Sequence, residues 1–235
     1  MEVDIAVSKV KKYATSDSGD TVEVVERPNG GLSVVLADGQ SSGRGAKLIS
    51  SLVVRKVISL LSEGVRDGAA ARAASDYLFT ERRGKVSATL NILSVDMHTS
   101  TLVITRNNPV PVMLAMDDQI QQLDEDSQPV GVYRDTRPLI TEVPLDPNLT
   151  AVMFTDGLIH AGSRSGLSLD ICNSLHALLQ DKDSSPQIIA DSLLEQALKL
   201  DQGRPVDDTS IVVLRVSSRC CDEVRRMTVR LPFPS

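Results

Sequence analysis

The sequence predicts an α+β protein in which two antiparallel sheets pack face to face and a helix pair covers each outer face. Three observations predict it. Short apolar-alternating runs are grouped along the chain, helical runs come in pairs between those groups, and no segment has a linker-like composition or a fixed-period repeat. The order reads strands, two helices, strands, two helices, strand.

Val3 to Val7 alternates, as do Thr21 to Glu26 and Leu32 to Ala37, and Pro28-Asn29-Gly30-Gly31 between the last two predicts a β-hairpin. Ala46 to Leu61 changes period, placing Ile49, Leu52, Val53, Val57 and Leu60 on one helical face. Asp67 to Phe79 gives a second, alanine-rich helix, with Asp67-Gly68 read as a plain turn before it. Four short β runs follow: Ser87 to Val95, Thr101 to Arg106, Val110 to Met116 and Gln119 to Leu123. Turn signals at Met97-His98-Thr99, Asn107-Asn108-Pro109 and Asp117-Asp118 suggest one antiparallel meander. Leu139 to Val143 and Thr150 to Thr155 read as strands, Leu167 to Leu179 and Pro186 to Leu200 as helices, and Thr209 to Val216 as a closing strand. One domain is expected over residues 1–218, with 219–235 as a C-terminal extension in which Val224 to Leu231 could add an edge strand or reach a partner.

Composition excludes several classes. The 235 residues hold 41% hydrophobic and 24% charged side chains, which is an ordinary globular balance. With 3 Phe, 3 Tyr and no Trp, the core must be aliphatic, and stacking platforms for single-stranded nucleic acid are improbable. A net charge of −6 argues against binding duplex nucleic acid and for a cationic or metal partner. Cys172, Cys220 and Cys221 lack metal-ligand spacing and fit a reducing compartment. With no signal peptide and no long apolar run, a cytoplasmic protein without a membrane segment is expected.

Chemistry concentrates on aspartates. Asp20 precedes one hairpin strand and Asp38 follows the other, each about nine residues from the turn, so antiparallel pairing brings both carboxylates to one open end. Asp156 ends the apolar run Ala151 to Phe154, and Asp207-Asp208 begins the last strand; as antiparallel neighbours those strands supply a second pair. Any one Asp at a strand end is more often a solvated turn residue. Four that converge would repel until something cationic neutralised them, and oxygen-only ligation points to Mg²⁺ or Mn²⁺. A metal pair can acidify a bridging water and clamp a phosphoryl group, which is the chemistry of phosphate-ester hydrolysis.

Ser18-Gly19-Asp20, Leu36-Ala37-Asp38-Gly39-Gln40-Ser41-Ser42-Gly43-Arg44, Met153-Phe154-Thr155-Asp156-Gly157 and Val206-Asp207-Asp208-Thr209-Ser210 through Leu214 resemble, in order, the motifs of the metal-dependent serine/threonine phosphatases of type 2C. The bacterial SpoIIE-like, stress-response branch is the nearest match. The resemblance implies an α/β/β/α sandwich with two Mn²⁺ or Mg²⁺ ions at one end. It implies that Asp38 bridges the ions, that the Gly39 carbonyl ligates one, and that Asp20, Asp156 and Asp207 complete the set, with Asp208 behind them. It also implies a phosphorylated bacterial signalling protein as substrate, with a STAS-domain antagonist the candidate.

The sequence departs from the family at two places. Gln40 stands where many relatives carry a His, and Gln cannot act as a general acid. Ser41 stands where Gly is usual. His160 is the other imidazole near the proposed site, although a lone His is more often structural. No Arg near the first motif matches the phosphate-holding Arg of eukaryotic relatives, so the metals are expected to hold phosphate almost alone. A phosphatase-fold binding module with little catalysis and a small-metabolite phosphohydrolase are the competing functions.

Overall fold

The computed structural model describes residues 1–116, 119–181, 184–218 and 224–232. Asp117-Asp118, Cys220, Cys221 and the other residues of the extension outside 224–232 therefore lie outside the described residues. Two five-stranded antiparallel sheets form the centre. One has the order β1 (Glu2–Val10), β10 (Thr209–Ser217), β9 (Thr150–Phe154), β6 (Val112–Met116), β7 (Gln119–Leu123). The other has the order β2 (Asp20–Glu26), β3 (Leu32–Gly39), β4 (Ala88–Asp96), β5 (Thr101–Asn107), β8 (Leu139–Pro144).

Three aliphatic layers hold the sandwich together, because each sheet is apolar on both faces and must be covered twice. Leu36, Leu93, Ile104, Leu114, Met153 and Leu214 fill the space between the sheets. Helices α1 (Gly43–Ser62) and α2 (Asp67–Arg82) lay Val53, Val57, Ala71 and Leu78 on the second sheet, over Val35 and Ile92. Helices α4 (Ile171–Leu179) and α5 (Pro186–Leu200) lay Leu175, Ile189 and Leu193 on the first, over Phe154 and Val213. The expected architecture is thus the observed one.

The structure corrects four local expectations. The run from Ser87 to Leu123 is not one meander, because β4 and β5 pair in one sheet while β6 and β7 pair in the other. The Asn107-Asn108-Pro109 signal is real, but it marks a crossover between sheets. Buried Arg106 fixes it by donating to the carbonyls of Asn108 (3.0 Å) and Glu125 (2.5 Å). Helix α4 starts at Ile171 rather than Leu167, and a short helix α3 (Asp156–His160) with a 3-10 turn (Ser163–Ser165) precedes it. Asp67 is no plain solvated turn: it is buried and pairs with Arg27 at 2.8 Å, tying the β2–β3 hairpin to the start of α2. Finally, residues 224–232 form no strand; Arg225 bonds Glu26 (2.7 Å) and the Gly30 carbonyl (2.8 Å) at the hairpin turn. Among the described residues no helix is long and apolar enough to cross a membrane.

Candidate metal centre

The site lies where the two sheets open at one end. In the β2–β3 ladder Asp20 is directly opposite Asp38, because the Arg27–Gly31 turn sets a register in which Val24 faces Val34 and every pair follows from it. In the other sheet β9 and β10 pair antiparallel, with Phe154 opposite Ile211, and the Thr155 N–H extends the ladder to the Ser210 carbonyl at 3.1 Å. Asp156 and Asp207 therefore leave the sheet at the same end.

Asp20 joins the two sheets. Its Oδ2 accepts from Ser210 Oγ (2.6 Å) and Thr155 Oγ1 (3.0 Å), both across the sandwich, while its buried Oδ1 has no hydrogen-bond partner. A buried carboxylate oxygen left unpaired is costly unless a cation meets it. Burial pushes Asp20 up to about 6, against the hydrogen bonds from Ser210 and Thr155 and the charge of Lys9. Burial and then the charges of Asp20, Asp156 and Asp207 push Asp38 up to about 9. Asp156 is raised as well, by burial first and by Asp207, with His160 opposing.

Glycines make the convergence possible by close approach. A Cβ on Gly39 would lie 2.0 Å from the Ala46 carbonyl oxygen, so α1 packs directly on the end of β3. A Cβ on Gly157 would lie 2.2 Å from the Asp208 carbonyl oxygen, so α3 packs on the start of β10. The Asp-Gly dipeptides at 38–39 and 156–157 are contacts between backbones, not turns.

Asp207 and Asp208 divide their roles. Asp208 is buried, and its two oxygens accept from the backbone N–H groups of Lys12 (2.9 Å) and Gly19 (2.8 Å), locking the β1–β2 connection. Asp207 is half-buried and lines a pocket of about 350 Å³ with Asp38, Gly39 and Asp156. Asp156, His160 and Asp207 can place donor atoms within 4.8 Å of one another, and His160 Nδ1 is 3.8 Å from Asp156 Oδ2. His160 itself is exposed. Gln40 is bound to the residue just before β4, its Oε1 accepting from the Ser87 N–H at 3.0 Å. Ser41 has φ +79°, the left-handed region that favours Gly.

The sequence reading missed three lysines. Lys9 and Lys47 both donate to the Asp20 carbonyl, at 2.7 and 2.8 Å, and Lys47 also reaches Thr21 Oγ1 at 2.8 Å. Lys12 lines the pocket, 3.6 Å from Asp207. No motif signals them, since β1 and α1 bring them in from outside the aspartate segments.

The sequence profile described as stage II sporulation protein E (SpoIIE) matches residues 28–217. The chain belongs to the SpoIIE family. It is 20% identical over 200 residues to stage II sporulation protein E of Bacillus subtilis, covering 85% of this chain and 24% of that protein, so it spans about a quarter of that relative's length. The crystal structure of the PP2C phosphatase domain and a regulatory-domain fragment of SpoIIE from Bacillus subtilis superposes with a TM-score of 0.78 at 20% identity, covering 92% of this chain and 64% of that one. The catalytic domain of the serine/threonine phosphatase PstP, solved with two manganese ions, superposes at 0.68 with 17% identity, covering 92% and 99%. This SpoIIE-family chain thus has the fold of the PP2C-type phosphatases.

Proposed function

We propose that the chain is a metal-dependent phosphatase that removes phosphate from phosphoserine or phosphothreonine of a regulatory protein. The observation that carries it is the gathering of four carboxylates from four separate chain segments: Asp38, Asp156 and Asp207 line one pocket, buried Asp20 sits opposite Asp38 in the ladder, and Asp38 is pushed up to about 9 by burial and by its acidic neighbours. Such a group of acids fits hard divalent cations, because the donors are oxygens, Asp20 Oδ1 is orphaned, and neutralisation removes the repulsion. Asp20, Asp38, Asp156, Asp207 and the Gly39 carbonyl are the residues that would hold two Mn²⁺ or Mg²⁺ ions. When bound, the ions supply an acidified water as nucleophile and a clamp for the phosphoryl oxygens. The chain's own residues shape the site: Thr155 and Ser210 orient Asp20, Asp208 fixes the loop before β2, and α1 backs Gly39.

Gln40 offers no proton on this reading, so the leaving seryl or threonyl oxygen takes its proton from water. The substrate comes from the resemblance: a phosphorylated bacterial signalling protein, with a STAS-domain antagonist as the candidate, acted on in the cytoplasm by one domain spanning residues 1–218. The test is calorimetric titration with Mn²⁺, followed by turnover of p-nitrophenyl phosphate and of a phosphorylated STAS protein. Two-ion binding with metal-dependent turnover is expected. Metal binding without turnover would favour a binding module, and rapid turnover of sugar or nucleotide phosphates a metabolic enzyme.

A further inference from the structure

Among the described residues lining the metal pocket, Lys12 carries the one basic side chain. It lies just past β1, and its backbone is fixed on both sides. Its N–H donates to Asp208 Oδ1 (2.9 Å), its carbonyl accepts from Thr15 Oγ1 (2.8 Å), and the next N–H, of Tyr13, donates to the Pro205 carbonyl (3.0 Å). The ammonium is thereby delivered to the pocket wall, 3.6 Å from Asp207 Oδ1. Both side chains remain about a third exposed, at 32% each, where an ion pair contributes little to stability. Lys9 and Lys47 differ, because both are committed to the Asp20 carbonyl behind the acids.

The groups that face Lys12 are Asp207 and, through its charge, Asp156. Once a dication engages those two carboxylates, their charge is spent on it, and the ammonium's remaining attraction is for an anion entering from the open side of the pocket. A phosphate monoester brings about −1.5 to −2 charge and three acceptor oxygens, matched by three N–H donors with no acceptor of their own. We propose that Lys12 donates to the phosphoryl oxygens of the bound substrate, supplying the protein cation that the motif segments lack. This inference rests on the metal-phosphatase reading, and it replaces the expectation that metals hold the phosphate almost alone.

Calorimetry on the full chain tests it in two stages. Mn²⁺ is titrated first into wild type, Lys12→Met and Lys12→Arg, and inorganic phosphate is then titrated into each manganese-loaded protein. The expected result is phosphate binding weakened about tenfold or more in Lys12→Met and largely restored in Lys12→Arg, since a charge-assisted hydrogen bond is lost and regained. Manganese affinity should stay within about threefold, because the exposed Lys12–Asp207 pair contributes little. Unchanged phosphate affinity in Lys12→Met would overturn the inference, and so would a change confined to manganese affinity, which would make Lys12 only a counter-charge for Asp207. Wild-type protein that binds no manganese would instead overturn the metal-phosphatase reading itself.

Discussion

Asp20 and Asp38 face each other across the β2–β3 ladder, two acids in directly paired positions, Asp20 fully buried and Asp38 half-buried on the pocket wall. Like charges placed opposite in an antiparallel pair destabilise it, and here Asp156 and Asp207 add to the repulsion felt by Asp38. The metal-free folded chain avoids that repulsion by keeping Asp38 protonated near neutral pH, at a cost that a dication would relieve. Replacing Asp38 by a side chain that is neutral without that protonation cost should separate stability from metal binding. Asp38→Asn is expected to raise the melting temperature of metal-free protein by about 2–4 °C, corresponding to about 1 kcal/mol for a chain of this size. It should also abolish the further rise that manganese gives wild type. Melting curves with EDTA and with MnCl₂ check this, and a variant less stable than wild type in EDTA would contradict it.

The same two acids set a pH dependence. A carboxyl whose pKa is raised on folding stabilises the folded state fully only below its unfolded value, about 3.9 for Asp, and that contribution is lost as pH rises through the folded value. Metal-free protein should thus lose stability continuously above about pH 4, more steeply until about pH 6, where Asp20 ionises, and more gently from there to about pH 9, where Asp38 does. Manganese binding must displace the Asp38 proton, so its affinity should increase with pH across the neutral range. Titrations at pH 7 in buffers of different ionisation enthalpy should reveal proton release on binding. An affinity independent of pH between 6 and 8 would count against a protonated Asp38.

Adjacent aspartates on the same loop should respond in opposite ways. Asp208 holds two backbone N–H groups, and an Asn there presents one oxygen and an NH₂ in their place, so one buried donor loses its partner. Asp208→Asn is expected to cost about 1–3 kcal/mol of stability. Asp207, half-buried on the pocket wall, should cost little stability as Asn yet weaken manganese binding by about tenfold or more. Denaturation and metal titration of the pair would assign the ligand, and the reverse pattern would exchange their roles.

Much of this was legible because a few local signals fix long-range geometry. Asn29-Gly30 sets the hairpin turn, and a period of two residues then carries the register out to Asp20 and Asp38. The paired helices and aliphatic runs announce the layers for the same reason: each face must be covered. The Asn107–Pro109 segment misleads because a turn signal says that the chain bends, not which sheet receives it; β5 and β6 alternate alike whether they share a sheet or cross between two. Asp67 shows the converse. As a dipeptide Asp67-Gly68 cannot be told from a solvated turn, and only folding brings Arg27 to it. Lys9, Lys12 and Lys47 are invisible on the same principle, since no spacing within one segment encodes a partner supplied by another.

The loop after Asp38 contains one residue that must be Gly and one that would be better as Gly. At Gly39 the obstacle is space: an added methyl would sit 2.0 Å from the Ala46 carbonyl oxygen, and the helix backbone there cannot yield as a side chain would. Gly39→Ala should cost about 3 kcal/mol through overpacking, lowering the melting temperature by about 6–12 °C. It should also weaken manganese binding, because the displaced carbonyl is a proposed ligand. At Ser41 the obstacle is torsion, since φ +79° costs an L-residue roughly 1–2 kcal/mol. Gly relieves that cost but adds freedom to the unfolded chain worth about 0.5–1 kcal/mol. Ser41→Gly is therefore expected to raise the melting temperature by about 1–3 °C with manganese affinity unchanged. A fall in stability on Ser41→Gly would mean that the Ser41 side chain holds the loop by a contact worth more than its torsional cost.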